Sequence, residues 1–203
     1  CIVIPSISDE SPIKGAAALA NELVVNTNVI VVSLKKGKNF NKHFNQKCNH
    51  LDLASFFWVK KYLFFRKYLI DKRSKFNIKI ISYCFSGDIF TSLFKGDFEI
   101  SSYVRGDLYK VYRLDYGIIG IFYAWVHFEA LKKFDFLLCL SNVMVRKVEK
   151  LTNKKCFLLP NFIDESKIYK YYNSTKIGSP KVKLIFVGRL TKLKSTSSII
   201  KAL

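Results

Sequence analysis

Acidic residues are scarce in this chain of 203 residues. It holds 15 aspartates and glutamates against 34 lysines and arginines, which leaves a net charge of +19. An excess of that size favours polyanionic neighbours, such as nucleic acid, anionic lipid or phosphorylated substrates, without choosing among them. Half of the residues are hydrophobic, so a disordered chain is excluded.

Long apolar runs are also missing. The longest uncharged apolar stretch, Tyr116–Val126, is shorter than the roughly 20 residues that span a bilayer. The five cysteines are odd in number and widely spaced, which speaks against a disulfide framework. We therefore expect a reduced, cytoplasmic compartment, with peripheral attachment to the inner face of a membrane as an option.

The spacings typical of a metal site are absent as well. His43, Cys48 and His50 lie close together in the sequence, but they match no common zinc pattern and lack a fourth ligand. We therefore expect no metal and no other cofactor. The chain starts at Cys1 inside an apolar run and stops at Leu203 inside an apparent helix, which predicts a fragment of a longer protein.

Strand and helix patterns alternate along the chain. Short β-branched runs predict buried strands, and apolar residues at helical spacing separate them. This alternation predicts an α/β fold with a Rossmann-like, doubly wound parallel sheet. The predicted strands are Cys1–Pro5, Asn28–Leu34, Asn77–Tyr83, Glu99–Val104, Phe134–Ser141 and a run from Phe157.

Between these strands, the sequence makes three further predictions. Lys35–His50 is polar and basic and predicts a surface loop. Asp88, after Ser86 and Gly87, is suited to cap the start of a helix. Tyr116–Lys132 predicts a long apolar helix packed on the sheet.

Two places are candidates for a ligand cleft, because ligands of open α/β sheets bind beyond the carboxyl ends of strands. Lys14 and Gly15 follow the first strand, and Gly15 permits close approach of the backbone. Arg105 and Asp107 follow the strand Glu99–Val104, where the arginine could hold a phosphate or sugar and the aspartate could orient a hydroxyl. An ordinary close-packed helix start and a local Arg–Asp pair are the structural alternatives.

The segment Phe56–Phe76 combines seven cations and seven aromatic residues before Phe76 with a single acid, Asp71. A helix with this composition can lie on anionic lipid. It can equally cover the sheet and leave a solvated basic side. In the second case, Phe56, Val59, Leu63 and Ile70 would form its core face.

Near the end of the chain, Gly188–Thr196 lies between a predicted strand, Val182–Val187, and a predicted helix. The start of a helix offers free N–H groups and the positive end of a dipole. The loop nevertheless carries Arg189, Lys192 and Lys194 and no acid. An anion, such as a phosphate, would complete this arrangement; a solvated basic loop is the alternative.

The motif from Phe186 to Lys194, F-V-G-R-L-x-x-x-K, resembles the nucleotide-sugar motif of the retaining GT-B glycosyltransferases of family 4. The stretch Asp135–Asp164 resembles a second signature of that family, in which a Pro-Asn turn precedes the crossing to the C-terminal domain. The resemblance implies that Gly188, Arg189, Lys194 and Ser195 hold the donor diphosphate, with Ser195 where the family has glycine. It also implies retention of anomeric configuration without a metal.

The resemblance further implies a division of the chain. Residues 1–170 would form the acceptor-side domain, 171–180 a linker, and 181–203 the start of the nucleotide-sugar-binding domain. The later E-x7-E motif of the family is not in the sequence, so we expect residues 1–203 alone to be inactive. Catalytic residues are not assigned.

The leading functional hypothesis is a glycosyltransferase that moves a sugar from a nucleotide-sugar donor to a glycan or lipid-linked acceptor in surface polysaccharide synthesis. A basic nucleic-acid-binding α/β protein is the rival, since the charge and the segment Phe56–Phe76 would also suit it, although no nucleic-acid-binding motif is present. A non-catalytic remnant of a glycosyltransferase gene is the third possibility.

Overall fold

A computed structural model describes residues 1–161 and, separately, Ile185. In this part the chain alternates between strands and helices. The strands are β1 (Ile2–Ile4), β2 (Ile30–Ser33), β3 (Asn49–Asp52), β4 (Lys79–Tyr83), β5 (Glu99–Val104), β6 (Phe136–Cys139) and β7 (Cys156–Leu158). The α-helices are α1 (Ser11–Leu23), α2 (Trp58–Arg73), α3 (Cys84–Thr91), α4 (Leu108–Tyr116), α5 (Ile118–Leu131) and α6 (Asn142–Thr152).

The described strands form one parallel sheet in the order β3-β2-β1-β4-β5-β6-β7. The interior strand β1 pairs with β2 on one side and β4 on the other, so that Ile2 lies between Val31 and Ile81. The sequence order reverses between β1 and β4, which is the arrangement of a doubly wound α/β fold. The predicted fold class is therefore confirmed.

Helices cover both faces of the sheet. On one face, α1 packs its alanines against β1, and these small side chains let the helix lie close to the strand. On the other face, α2, α3, α5 and α6 enclose a larger core. Its aromatic members include Phe65, Phe90, Phe94, Phe128 and Phe134.

Three local predictions were wrong. The end of the predicted loop Lys35–His50 belongs to β3, an edge strand whose sequence is too polar to be recognised as a strand. Asp88 does not cap a helix, because α3 begins four residues earlier, directly after β4. The predicted core face of α2 is also not the buried one: Val59, Leu63 and Ile70 are exposed.

Two side chains that the predicted face omitted, Phe65 and Leu69, anchor α2 to the sheet. The apolar residues of α2 are spread around its axis, so helical periodicity did not single out the buried side. By contrast, Ser141 caps α6 as its pattern suggests, and its Oγ accepts a hydrogen bond from the Met144 N–H at 3.3 Å. The predicted linker 171–180 and, apart from Ile185, the segment 181–203 lie outside the described residues and stay predictions.

Candidate functional site

The strand order places a crevice at the carboxyl edge of the sheet between β1 and β4. The chain leaves β1 toward α1 on one face and leaves β4 toward α3 on the other. The two connections therefore diverge, and doubly wound folds bind ligands at the point where they do so. The predicted cleft residues are located relative to this crevice.

Arg105 follows β5 and reaches across to α1. Its Nη1 donates to the carbonyl oxygens of Ser11 at 3.0 Å and Pro12 at 3.2 Å. Its Nη2 donates to Oδ1 of Asn161 at 2.5 Å, and the guanidinium lies 5.4 Å from the ring centre of Tyr103. Arg105 thus connects the first turn of α1, the end of β5 and the Pro160–Asn161 segment after β7.

Gly15 makes this approach possible. A Cβ at this position would lie 1.9 Å from Nη1 of Arg105, so any side chain would displace the guanidinium. The structure therefore brings together two residues that the sequence proposed separately, since both lie at the carboxyl edge of a parallel sheet. Lys14, the neighbour of Gly15, is exposed on α1.

Asp107 forms its hydrogen bonds away from Arg105 and Gly15. Its Oδ1 accepts from the Lys110 N–H at 3.3 Å and caps α4, while its Oδ2 accepts from Lys147 Nζ of α6 at 2.5 Å. Partial burial works to raise the pKa of Asp107, but the Lys147 ammonium and the Lys110 amide outweigh it and lower the pKa. These two contacts tie the start of α4 to α6 and do not involve Arg105.

Cys84 stands at the turn from β4 into α3. It has a φ of 63°, a left-handed conformation that is uncommon for a residue with a side chain. Burial, with the nearby carboxylates of Asp88 and Glu10, raises the pKa of this thiol to about 12. Cys84 is therefore a neutral thiol near pH 7 and lacks the character of an activated nucleophile.

A buried polar chain lies behind α3 and was not foreseen from the sequence. Ser82 Oγ donates to Asp88 Oδ1 at 2.5 Å, and the other carboxylate oxygen is 2.7 Å from His127 Nε2. His127 Nδ1 lies 2.9 Å from the hydroxyl of Tyr112. This series of hydrogen bonds joins β4, α3, α5 and α4, and Asp88 and His127 are almost completely buried.

Two tyrosines lie side by side below Arg105. Tyr103 donates its hydroxyl to the Leu159 carbonyl at 2.7 Å, and its ring meets that of Tyr83 edge-on at 5.4 Å. Burial raises the pKa of Tyr83 well above its ordinary value. Within the described residues, the buried Tyr83 hydroxyl lacks a hydrogen-bond partner.

The residues considered as metal ligands go to separate environments. His43 Nε2 is 2.9 Å from Asp9, whose carboxylate also binds Lys38 and Lys42. Cys48 is buried against α1, and its Sγ lies 3.8 Å from the Ala20 carbonyl. Among residues 1–161, no cluster of His, Cys, Asp and Glu is suited to a metal ion.

A groove of about 460 Å³ lies away from the crevice, next to the first residues of β4 and β5. It is lined by residues 73–78 and 97–99 and therefore lies at the amino edge of the sheet. We assign the candidate site to the carboxyl edge, because the strand order and the convergence of Arg105 and Gly15 point there. The donor-site candidates Gly188, Arg189, Lys194 and Ser195 lie outside the described residues.

No family model and no curated protein matches the sequence. Solved structures do match the fold. The glycosyltransferase UGT2 of Phytolacca americana, complexed with UDP-2fluoro-glucose and pterostilbene, aligns with a TM-score of 0.53 and 9% identity. That alignment covers 80% of this chain and 53% of the UGT2 chain.

The apo structure of the same protein aligns with a TM-score of 0.54 and 9% identity, over 84% of this chain and 54% of its own. The chain thus spans about half the length of these structures. Identity this low shows the fold alone. The described residues therefore form a Rossmann-like α/β domain of the kind that makes up half of a GT-B glycosyltransferase.

Proposed function

We propose that this chain belongs to a glycosyltransferase that moves a sugar from a nucleotide-sugar donor to a glycan or lipid-linked acceptor. The observation that carries the proposal is the crevice between β1 and β4 in a GT-B half, with Arg105 held over the first turn of α1. The strand, loop and helix that the sequence predicts around Gly188 would add a basic loop suited to a diphosphate. The family 4 resemblance of that loop favours a retaining reaction.

Arg189 and Lys194 would carry the electrostatic part of the chemistry. When the glycosidic bond to the donor breaks, negative charge builds on the departing diphosphate. Two fixed cations stabilise that charge more in the transition state than in the ground state, which is how they accelerate transfer. With two cations at the diphosphate, the proposed reaction proceeds without a metal.

Arg105 would serve as a bridge between the acceptor side and the domain crossing. A guanidinium has five N–H donors, and its bonds to Ser11, Pro12 and Asn161 account for three of them. The remaining donors could meet an acceptor hydroxyl or a phosphate. Since Asn161 lies in the turn that precedes the proposed linker, a ligand on Arg105 would also influence how the second domain closes.

For the acceptor, we propose a growing surface glycan or a lipid-linked glycan at the inner face of a membrane. The support is the high positive charge and the segment Phe56–Phe76, which contains the basic, aromatic helix α2. Anionic lipid attracts a chain with such an excess of cations. No helix among the described residues is long and apolar enough to cross a bilayer.

The test is diphosphate binding by the 203-residue chain, measured by calorimetry with UDP and with inorganic pyrophosphate. We expect Arg189→Ala and Lys194→Ala each to weaken binding about tenfold or more, the size of one lost charge-assisted contact. Lys192→Ala is the matched control, since it removes one charge from the same loop. Its affinity should stay within about twofold of the parent chain.

Two results would contradict the proposal. One is the absence of binding to both probes at low salt. The other is an equal loss in all three variants, which would mean that the loop attracts anions through its net charge and holds no diphosphate site.

A further inference from the structure

Large apolar side chains crowd the corner where α4 meets α5. We call the residues 114–125 the α4–α5 tip. Ile118 is 85% exposed, Ile119 65% and Phe122 60%. The other exposed apolar residues of the tip are Leu114, Tyr116, Ile121, Tyr123 and Trp125. Soluble proteins seldom leave so many large apolar side chains together in water unless the surface contacts something.

The tip has a defined shape. Tyr109 stacks on Phe128 at 5.2 Å, and Tyr116 contacts Tyr123 at 5.6 Å, so α4 and α5 run antiparallel. Gly117, with a φ of 63°, makes the corner. A Cβ on Gly120 would lie 1.9 Å from the Tyr112 carbonyl oxygen, which shows how closely the two helices pack.

The foot of this helix pair is fixed to the domain. His127 is held by Asp88 of α3 at 2.7 Å and by Tyr112 of α4 at 2.9 Å. From Ile118 to Phe128, α5 advances about 15 Å at 1.5 Å per residue. The tip therefore extends as a preformed projection from a buried base.

The tip stands at the carboxyl edge of the sheet, on the side of the crevice. In a βαβ unit the crossover helix runs opposite to the strands, so the N-terminal ends of α2 and α5 both lie at that edge. Phe57, which precedes α2, is 80% exposed. Two separate apolar contacts at one edge of the sheet fit a partner with a broad surface better than a partner with a single narrow groove.

The composition of the tip indicates the kind of surface that it contacts. Isoleucine and phenylalanine occupy the apex, while Tyr and Trp, which prefer the interface between water and acyl chains, follow within a turn or two along α5. Lys110 and Arg113 are exposed on α4, and Asp115 is the acid of the tip. With a net charge of +19, an anionic bilayer is electrostatically favourable.

We propose that the α4–α5 tip inserts into an anionic lipid bilayer, with Ile118, Ile119 and Phe122 entering the acyl region and Phe57 as a second contact. This differs from attachment along the length of Phe56–Phe76, where several cations are already bound within the protein. Lys61, for example, donates to the Leu34 carbonyl at 2.5 Å, and Arg66 pairs with Asp97 at 2.9 Å. The insertion does not depend on sugar-transfer chemistry.

The two tryptophans of the chain offer separate reporters, since Trp125 lies in the tip and Trp58 begins α2. The experiment uses the 203-residue chain with Trp58→Phe or Trp125→Phe and vesicles of phosphatidylglycerol and phosphatidylcholine with brominated acyl chains. We expect lipid bromine to quench Trp125 strongly and Trp58 weakly. Vesicles of phosphatidylcholine alone should bind less.

The apex variant Ile118→Ser/Ile119→Ser/Phe122→Ser should bind these vesicles at least about tenfold more weakly, because binding scales with buried apolar area. Val25→Ser is the matched control, because Val25 is 68% exposed just after α1, at the opposite edge of the sheet. It should bind as the parent does. Circular dichroism of each variant checks that the fold is retained.

Unchanged vesicle binding by the apex variant, or quenching of Trp58 in place of Trp125, would overturn the proposal. Light scattering tests the alternative that a second copy of this chain covers the tip. If the parent chain is a dimer and the apex variant a monomer, the tip is a self-association surface and the lipid proposal is wrong.

Discussion

The helices α2 and α5 are both rich in aromatic and apolar residues, yet they distribute exposure in different ways. Along α2, buried Phe65 and Leu69 alternate with exposed neighbours through the helix. Along α5, the residues from Ala124 onward supply most of the buried contacts, while the first turns are exposed except for Gly120. In α2 exposure depends on the side of the helix, whereas in α5 it depends on the position along the axis.

This difference explains why the two helices have different surface chemistry. Several cations of α2 contact the protein itself: Lys60 lies 5.3 Å from the ring of Phe56, and Arg66 pairs with Asp97 at 2.9 Å. The first turns of α5 project beyond the sheet, out of reach of the core. A helix that covers a sheet can satisfy its side chains locally, and a helix that extends past the sheet leaves them for another surface.

The largest effect should come from truncating the buried aromatic residue of each helix. We expect Phe65→Ala and Phe128→Ala each to lower the free energy of unfolding by about 3–5 kcal/mol, through lost burial and the cavity left behind. Phe64→Ala and Phe122→Ala, at exposed positions, are the controls and should change it by about 0.5 kcal/mol or less. Urea denaturation measures all four, and a large cost for Phe122→Ala would place the tip inside the folded core.

The next effect tests whether α5 is fixed at its foot. Asp88→Asn should lower the free energy of unfolding by about 1.5–3 kcal/mol, because a charged acceptor shared by Ser82 and His127 is lost inside the core. Glu129→Gln, which changes a half-exposed acid on α5, is the control. Equal stabilities for the two variants would show that the buried hydrogen bonds of Asp88 do not anchor α5.

A smaller effect is expected at the glycine near the corner. Gly120→Ala should cost about 1–3 kcal/mol, because its Cβ would meet the rigid backbone of Tyr112 and force the helices apart. Gly15→Ala is the informative contrast, since its Cβ would meet only the movable end of Arg105. We expect Gly15→Ala to retain stability, and a melting temperature as low as that of Gly120→Ala would refute this.

The smallest effect concerns the cations of α2. Lys60→Met removes the ammonium above Phe56 and should cost about 0.5 kcal/mol, the value of an exposed cation–π contact. The same change should reduce vesicle binding far less than the apex variant does. If Lys60→Met abolishes vesicle binding, the lipid contact lies along α2, and the difference in exposure between α2 and α5 does not determine membrane binding.

The sequence was sufficient to predict the buried strands of the sheet. The predicted strand Glu99–Val104 matches β5 residue for residue. The interior strands β1 and β2 carry the continuous apolar pattern of buried parallel strands. The edge strand β3, with Asn49, His50 and Asp52 in four residues, has no such pattern. Its position is set by pairing with β2, which local sequence does not encode.

The candidate site could be predicted only as separate parts. Gly15 and Arg105 were each placed at a strand end, and the parallel sheet explains why they meet. The partner of Asp107 could not be foreseen, since Lys147 lies 40 residues further along the chain, on α6, and reaches Asp107 only in the folded domain. Likewise, the uniformly apolar sequence of α5 gave no sign of which part would leave the core.

The position of β1 between β2 and β4 has a consequence for the synthesis of the chain. Ile2 pairs with Ile81 of β4, so one side of the first strand stays unpaired until much of the domain has been synthesised. At about 5–20 residues per second, this takes on the order of several seconds on the ribosome. During that interval an apolar strand with free N–H and C=O groups is exposed, so the nascent chain should be a substrate for chaperones until β4 emerges.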